Sequence, residues 1–230
     1  MTKTLAMFSV SGLDLAALLF FVVTWIGYGV FADRYGRRVP SLTSRMGHYR
    51  RAWMQEMLGR ENRMADVSIL QKLATSAQFF ASTTMLILGA LVALMGYTEK
   101  VVDVVAELPF TQRASQALWE IKVLLLLTIF TYTFFKFTWS IRQYGFIAVL
   151  VGAAPPPGSP AEADFVERAA RVLDNAGHNY NNGLRGYYFG MAALASFLHS
   201  ALMIASVLLV VGILFHREFR SRTLQALLPS

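Results

Sequence analysis

The sequence predicts an all-α fold: a polytopic membrane helical bundle of four transmembrane helices with a helical cytoplasmic subdomain. Three observations predict it. Of 230 residues, 55% are hydrophobic, too apolar for an ordinary water-soluble domain. Four apolar stretches, Leu13–Phe31, Ala77–Tyr97, Leu118–Thr138 and Tyr187–Phe215, each approach or exceed the roughly 20 residues a spanning helix needs. The stretch from Leu118 to Ala154 contains no proline. At about 1.5 Å per residue it reaches roughly 55 Å, against a hydrocarbon core of about 30 Å. We expect one membrane domain over residues 1–230, with cytoplasmic helices at about 44–76 and 139–178.

The first span reads as a retained helix rather than a signal peptide. Only Lys3 precedes it, its apolar run is too long, and no small-residue cleavage site follows. Asp14 lies near its outer end. It either caps the helix, where a carboxylate is favourable, or pairs with Lys122 at the same depth on the third span. Gly27 and Gly29 allow close helix contact near the inner end.

A basic loop follows. Ser41 or Ser44 is placed to cap a helix after Pro40. His48–Leu58 has helical spacing, either packed or lying on the membrane surface. Gly59 interrupts it, and helical spacing resumes through Met64, Val67, Leu70 and Leu73, so the second span begins as a cytoplasmic helix. That span carries Thr75, Gln78 and Ser82 on one face and Gly89, Ala93 and Gly96 further out, a spacing suited to helix packing. The outer loop from Thr98 contains Glu99, Asp103 and Glu107, mild amphipathicity over Val101–Leu108, and a turn at Pro109.

The third span carries a polar row, Thr128, Tyr132, Lys136, Ser140 and Gln143, whose spacing keeps the side chains near one face. Lipid cannot satisfy such a face, so it should look at protein or water. Beyond it, Tyr144, Phe146, Ile147, Val149, Leu150 and Val151 need cover, which the neighbouring cytoplasmic helices supply. The APPPGSP segment breaks the helix. Ser159 and Glu162 then suit a capping box with Pro160 at the first helical position. The Glu162–Leu173 helix follows, with Phe165, Ala169, Val172 and Leu173 as its apolar edge. AGHNYNNGLRGYYFG comes next; its asparagines and Gly177 and Gly183 disfavour a helix interior. It is either a connector or a binding site, with Arg185 near the depth of Lys136 and Arg142.

Fourteen Lys and Arg residues fall in Ala32–Ser76 and Lys136–Gly186, against seven elsewhere. Positive-inside then places those segments in the cytoplasm of a bacterial inner membrane, with both termini outside. The net charge of +7 clusters beside the spans, which suits anionic lipid head groups rather than nucleic acid.

WSIRQYGF (Trp139–Phe146), the GAAP turn after it and NNGLRGYYF (Asn181–Phe189) resemble a family of bacterial and plant four-span membrane proteins described only as a domain of unknown function. The resemblance implies a fold and a membrane location. It carries no activity and no catalytic residues.

With no cysteine, disulfides, thiolate catalysis and Cys-ligated metals are excluded. Of the histidines only His199 lies in a span, where a hydrogen bond between helices suits it better than metal ligation. No metal, cofactor or catalytic residue is expected. Three functions fit. The first is a homo-oligomeric channel or small-solute permease, its path lined by the polar row, with Lys136, Arg142 and Arg185 at the inner mouth. The second is an accessory subunit of a larger membrane complex. The third is an enzyme acting on a lipid or quinone, with Asn181, Asn182 and Arg185 at its pocket; no nucleophile and base support it.

Overall fold

The computed structural model of the chain describes residues 11–97 and 115–228. The expected outer-loop features (Glu99, Asp103, Glu107, Val101–Leu108 and Pro109), together with Lys3, Lys100 and Arg113, lie outside the described residues. Every regular element described is a helix, and four of the helices are long and apolar enough to cross a membrane.

Helix α1, Gly12–Tyr35, opens on Ser11, whose hydroxyl accepts from the Asp14 amide at 3.1 Å and donates to the Asp14 carboxylate at 2.8 Å. Helix α2, Leu42–Leu58, has Ser41 as its N-cap, and Ser44 returns the bond to the Ser41 amide. Two otherwise unpaired amide groups are thereby satisfied. Gly59 ends α2, and the Asn62 carboxamide accepts from the Met64 amide to start α3, Met64–Gly96. Helix α4, Gln116–Gly152, is unbroken over 37 residues, as the missing proline predicts. It stops before Pro155–Pro157, and Gly158 takes the left-handed conformation, φ 79°, that a residue without a side chain adopts at little cost.

Helix α5, Glu162–Leu194, runs 33 residues and includes the whole asparagine-rich segment. The expected Ser159–Glu162 capping box does not form. The helix begins at Glu162 itself, too early for that residue to stand at the third position. Its carboxylate accepts instead from the Gly158 amide, at 2.9 Å. The expected uninterrupted helix from Tyr187 to Phe215 is also replaced. Residues 187–194 complete α5, a 3-10 turn follows at Ala195–Phe197, and α6 starts afresh at Ser200–Phe219. A short helix α7, Arg222–Leu227, is capped by Ser221.

The chain divides into two compact units. Of the described residues, the first unit takes those up to Asp33, Thr84–Thr133 and Arg185–Phe215; the second takes Arg34–Thr83, Phe134–Leu184 and those from His216. The first unit packs around Ala17, Phe21, Val123, Leu126, Ile129, Phe130, Phe189, Met203 and Val207, all but inaccessible. Within it α1 and α6 run side by side in the same sense, since Asp14 meets Ser200 and Phe31 stacks on Phe215. The α5 portion runs against α1, with Phe189 on Tyr28 and Arg185 on Asp33. α5 and α6 are thus antiparallel neighbours joined by the 195–199 turn.

The second unit has its own core of Met54, Met57, Leu70, Tyr144, Ile147, Val151, Phe165, Leu173 and Ala176. This is the packed helical subdomain expected to cover the end of α4. The cover is partial: Phe146 and Val149 remain exposed. The tail belongs to the second unit. Glu218 accepts from the Thr43 amide at 3.0 Å, and Phe219 packs edge-on to Tyr35.

Candidate functional site

Two ionic centres sit at the ends of the first unit. At one, Lys122 donates from Nζ to the Ser196 carbonyl at 2.6 Å, and Asp14 accepts from the hydroxyls of Ser11 and Ser200. Asp14 and Lys122 are 7% and 5% exposed, so both charges are held away from solvent. They form no direct ion pair, although each lies within the other's field. Their places follow helix electrostatics. The ammonium meets the carbonyl end of α5 and the carboxylate meets the amide end of α6, where each sign is favoured. Asp14 stands in the first turn of α1 behind the Ser11 cap, and it lies near Lys122 without the direct pair that the sequence suggested. His199 completes the turn, its Nδ1 accepting from the Ala201 amide at 3.0 Å. Trp119 packs edge-on to Phe197, and its buried indole nitrogen has no hydrogen-bond partner among the described residues.

At the other centre, Arg185 bonds Asp33 at 2.9 Å and lies over the Tyr28 ring. Tyr132 stands beside this pair and sets its ring edge-on to Trp25. From Asp14 to Asp33 the helix rises about 28 Å, close to the hydrocarbon thickness of a bilayer. Between the two centres lie Phe21, Leu126, Phe130, Phe189 and Met203, buried to 3% exposure or less. Apolar side chains therefore close the interior of this unit.

The second unit holds a polar seam. Ser140, fully buried, donates to the Ala176 carbonyl at 2.8 Å. Asn179 donates to Gln143 at 3.0 Å and to the Asn175 carbonyl at 2.8 Å, and accepts from Lys136 at 3.3 Å. Asn182 bonds the His178 ring at 2.9 Å.

The predicted row on α4 is therefore not one surface. Thr128 is exposed and bonds back to the Leu124 carbonyl; Tyr132 is 39% exposed. Ser140 and Gln143 are buried against α5, and Lys136 is half-buried. Arg142 is exposed and lies over the Phe146 ring. Asn181 is half-buried.

The asparagine and glycine segment is helical for a tertiary reason. A side chain at Gly183 would come within 2.7 Å of the Phe137 ring, one at Gly186 within 2.1 Å of Thr133 Oγ1, and one at Gly190 within 2.8 Å of the Phe130 ring. These glycines allow α5 to lie close on α4, and that packing outweighs their low helix propensity. The expectation that the asparagines, Gly177 and Gly183 disfavour a helix interior here is corrected accordingly. Asp33 escaped the sequence reading because it abuts the basic run at Arg34. Its signal was that no other acidic residue occurs between Asp14 and Glu56. Among the described residues no three His, Asp or Glu side chains cluster to hold a metal.

A sequence family described as a protein of unknown function, DUF599, matches residues 16–223. The chain belongs to this family. No curated protein and no solved structure matches it. In this DUF599 chain the matched region covers Lys122, Ser196 and Ser200 of the first centre but not Asp14, and all of the second centre and the seam. The resembling segments supply Ser140, Gln143, Gly183 and Gly186 to the contact between α4 and α5, and Arg185 to the pair with Asp33.

Proposed function

We propose that this DUF599 protein is a membrane permease for ions or small polar solutes, working as a homo-oligomer and held closed in this conformation. The carrying observation is the centre of Asp14, Lys122, Ser196 and Ser200 at the break between α5 and α6. Ionisable groups buried among spans are costly and usually functional. At this turn the carbonyl end of α5 and the amide end of α6 both face buried charges, and helix ends aimed at charged groups also form the ion and substrate sites of many transporters. Neutralising either charge removes what holds its helix end, so a bound ion or proton would free the 195–199 turn. The polar row on α4 is not the path, because its inner half is filled by α5.

The proposal places the chain in a bacterial inner membrane with the second unit in the cytoplasm. That unit holds sixteen of the 21 Lys and Arg residues, including Arg217, Arg220 and Arg222 of the tail. The tail is then cytoplasmic, in place of the outside location the sequence suggested, and Arg217, Arg220 and Arg222 move from the seven to the inner count. Head groups of anionic lipids would flank that face. No enzymatic activity is assigned.

Reconstitution in liposomes tests the proposal. Pyranine-loaded vesicles report proton flux, and solid-supported membrane currents report sodium, potassium and chloride. At least one flux should rise above that of empty vesicles and be lost in Asp14→Asn and Lys122→Met. Silence for all four, or a flux unchanged by both substitutions, rejects it. An accessory-subunit role is a second reading, favoured by the unpacked face of α3.

A further inference from the structure

The second unit uses its arginines in two ways. Arg50, Arg51, Arg60, Arg168 and Arg171 each hold a carboxylate, at 2.5 to 3.7 Å. Arg34, Arg37, Arg38 and Arg222 make no ion pair among the described residues. The first three of these lie in the last turn of α1 and the turn after it. Arg217, Arg220 and Arg222 lie at the end of α6 and the start of α7. All six side chains are exposed. Two contacts bring the stretches side by side. The Glu218 carboxylate accepts from the Thr43 amide at 3.0 Å, and the Tyr35 ring stands edge-on to Phe219, with centroids 5.2 Å apart. From Arg34 to Met54 and from His216 to Ser230, Glu218 is the sole acidic residue, and there is no lysine. Asp33, next before Arg34, is taken by Arg185.

Arg34 and Arg217 suit the carbonyl ends of their helices. The other four lie past those ends, so helix electrostatics do not account for them. Helices α1 and α6 are both apolar enough to span, and the arginines follow directly on their last apolar turns, at Phe31 and Phe215. They stand where a span passes into head groups. We propose that this arginine cluster is a binding site for the phosphate of anionic phospholipids. Side-chain chemistry chooses the ligand. A guanidinium is planar and always charged, and its N–H groups meet phosphate oxygens two at a time. Like charges gathered on neighbouring stretches repel, and an anionic head group between them relieves that repulsion. A zwitterionic head group carries its own cation and relieves it less. The arginines on α2, α3 and α5 are already neutralised by their carboxylates. The anionic head groups placed at this face above thereby acquire particular residues. The site requires the four spans, and it stands whether or not the protein carries a solute.

Native mass spectrometry tests the site. The full chain in mild detergent is titrated with short-chain phosphatidylglycerol and with phosphatidylcholine of the same chains, and bound lipid is counted. Phosphatidylglycerol should bind about tenfold more tightly or better, the scale expected of several arginines at a membrane surface. This comparison needs no variant. Arg37→Gln, Arg38→Gln and Arg222→Gln together should abolish the preference. Arg51→Gln, Arg168→Gln and Arg171→Gln together remove the same charge from arginines that hold carboxylates, and should leave the preference within about twofold. Equal binding of the two lipids overturns the site. So does an equal loss in the two triple variants, which would make net charge the cause. Displacement of the lipid by millimolar inorganic phosphate, but not by chloride at the same ionic strength, would also overturn it, in favour of a soluble anion. Solute flux is not read in this experiment, so its failure leaves the permease proposal standing, and the reverse holds.

Discussion

The two halves of α4 carry polar residues at similar spacing and use them in opposite ways. Up to Thr133, the polar side chains at Thr128 and Tyr132 face outward while Ile129 and Phe130 fill the core. From Phe134 on, Ser140 and Gln143 are themselves buried, hydrogen-bonded to α5. A row of polar residues on a helix therefore does not define a path. What decides is whether the neighbouring helix presents apolar bulk or matching donors and acceptors. α5 presents the Tyr187 ring and Gly190 to the first half and Ala176 and Asn179 to the second.

Substitutions should separate the halves by thermal unfolding in mild detergent, read from tryptophan fluorescence. The largest effect is expected at the close approach in the first unit. Gly186→Leu overpacks against Thr133 and should cost about 3 kcal/mol or prevent folding. Gly186→Ala should cost less, and Thr133→Ala should restore much of that loss, because Thr133 Oγ1 is the blocking atom and makes no hydrogen bond among the described residues. Absence of rescue would mean the helices are further apart than described. Next comes the ionic centre. Lys122→Met leaves the Ser196 carbonyl unmet and should cost about 2 kcal/mol, the scale of a hydrogen bond to a charged group.

In the second unit, Asn179→Ala removes the bridge to Gln143 and Lys136 and should cost about 1–2 kcal/mol. Asn181→Ala, two residues on, should change stability by less than about 0.5 kcal/mol. Equal effects at the two asparagines would dissolve the seam. The smallest change is expected for Thr128→Val, within about 0.5 kcal/mol, since it trades one local bond to Leu124 for apolar surface on an exposed position.

Much of the fold was legible in the sequence, because bilayer thickness constrains helix length so strongly. The absence of proline announced α4, and Ser41 with Ser44 announced the start of α2. The end of α5 was not legible. Nothing in ALASFLHSALM is a strong helix breaker, and the turn is held from outside by Lys122 and Asp14. The candidate site was half legible. Asp14, Lys122 and Arg185 stood out as charges beside apolar runs. The service of Gly183 and Gly186 did not, because a glycine that relaxes a backbone and one that admits a neighbour look identical in one dimension.

The most direct test of the buried seam is thiol accessibility. Ser140→Cys and Arg142→Cys, each introduced singly, are exposed in native membranes to a membrane-impermeant maleimide added from the side of the second unit. A sealed α4–α5 contact predicts rapid labelling at position 142 and at least about tenfold slower labelling at 140, the protection that local opening imposes on a buried group. Comparable rates at the two positions would mean that water reaches the polar row, and the contact described here would be wrong.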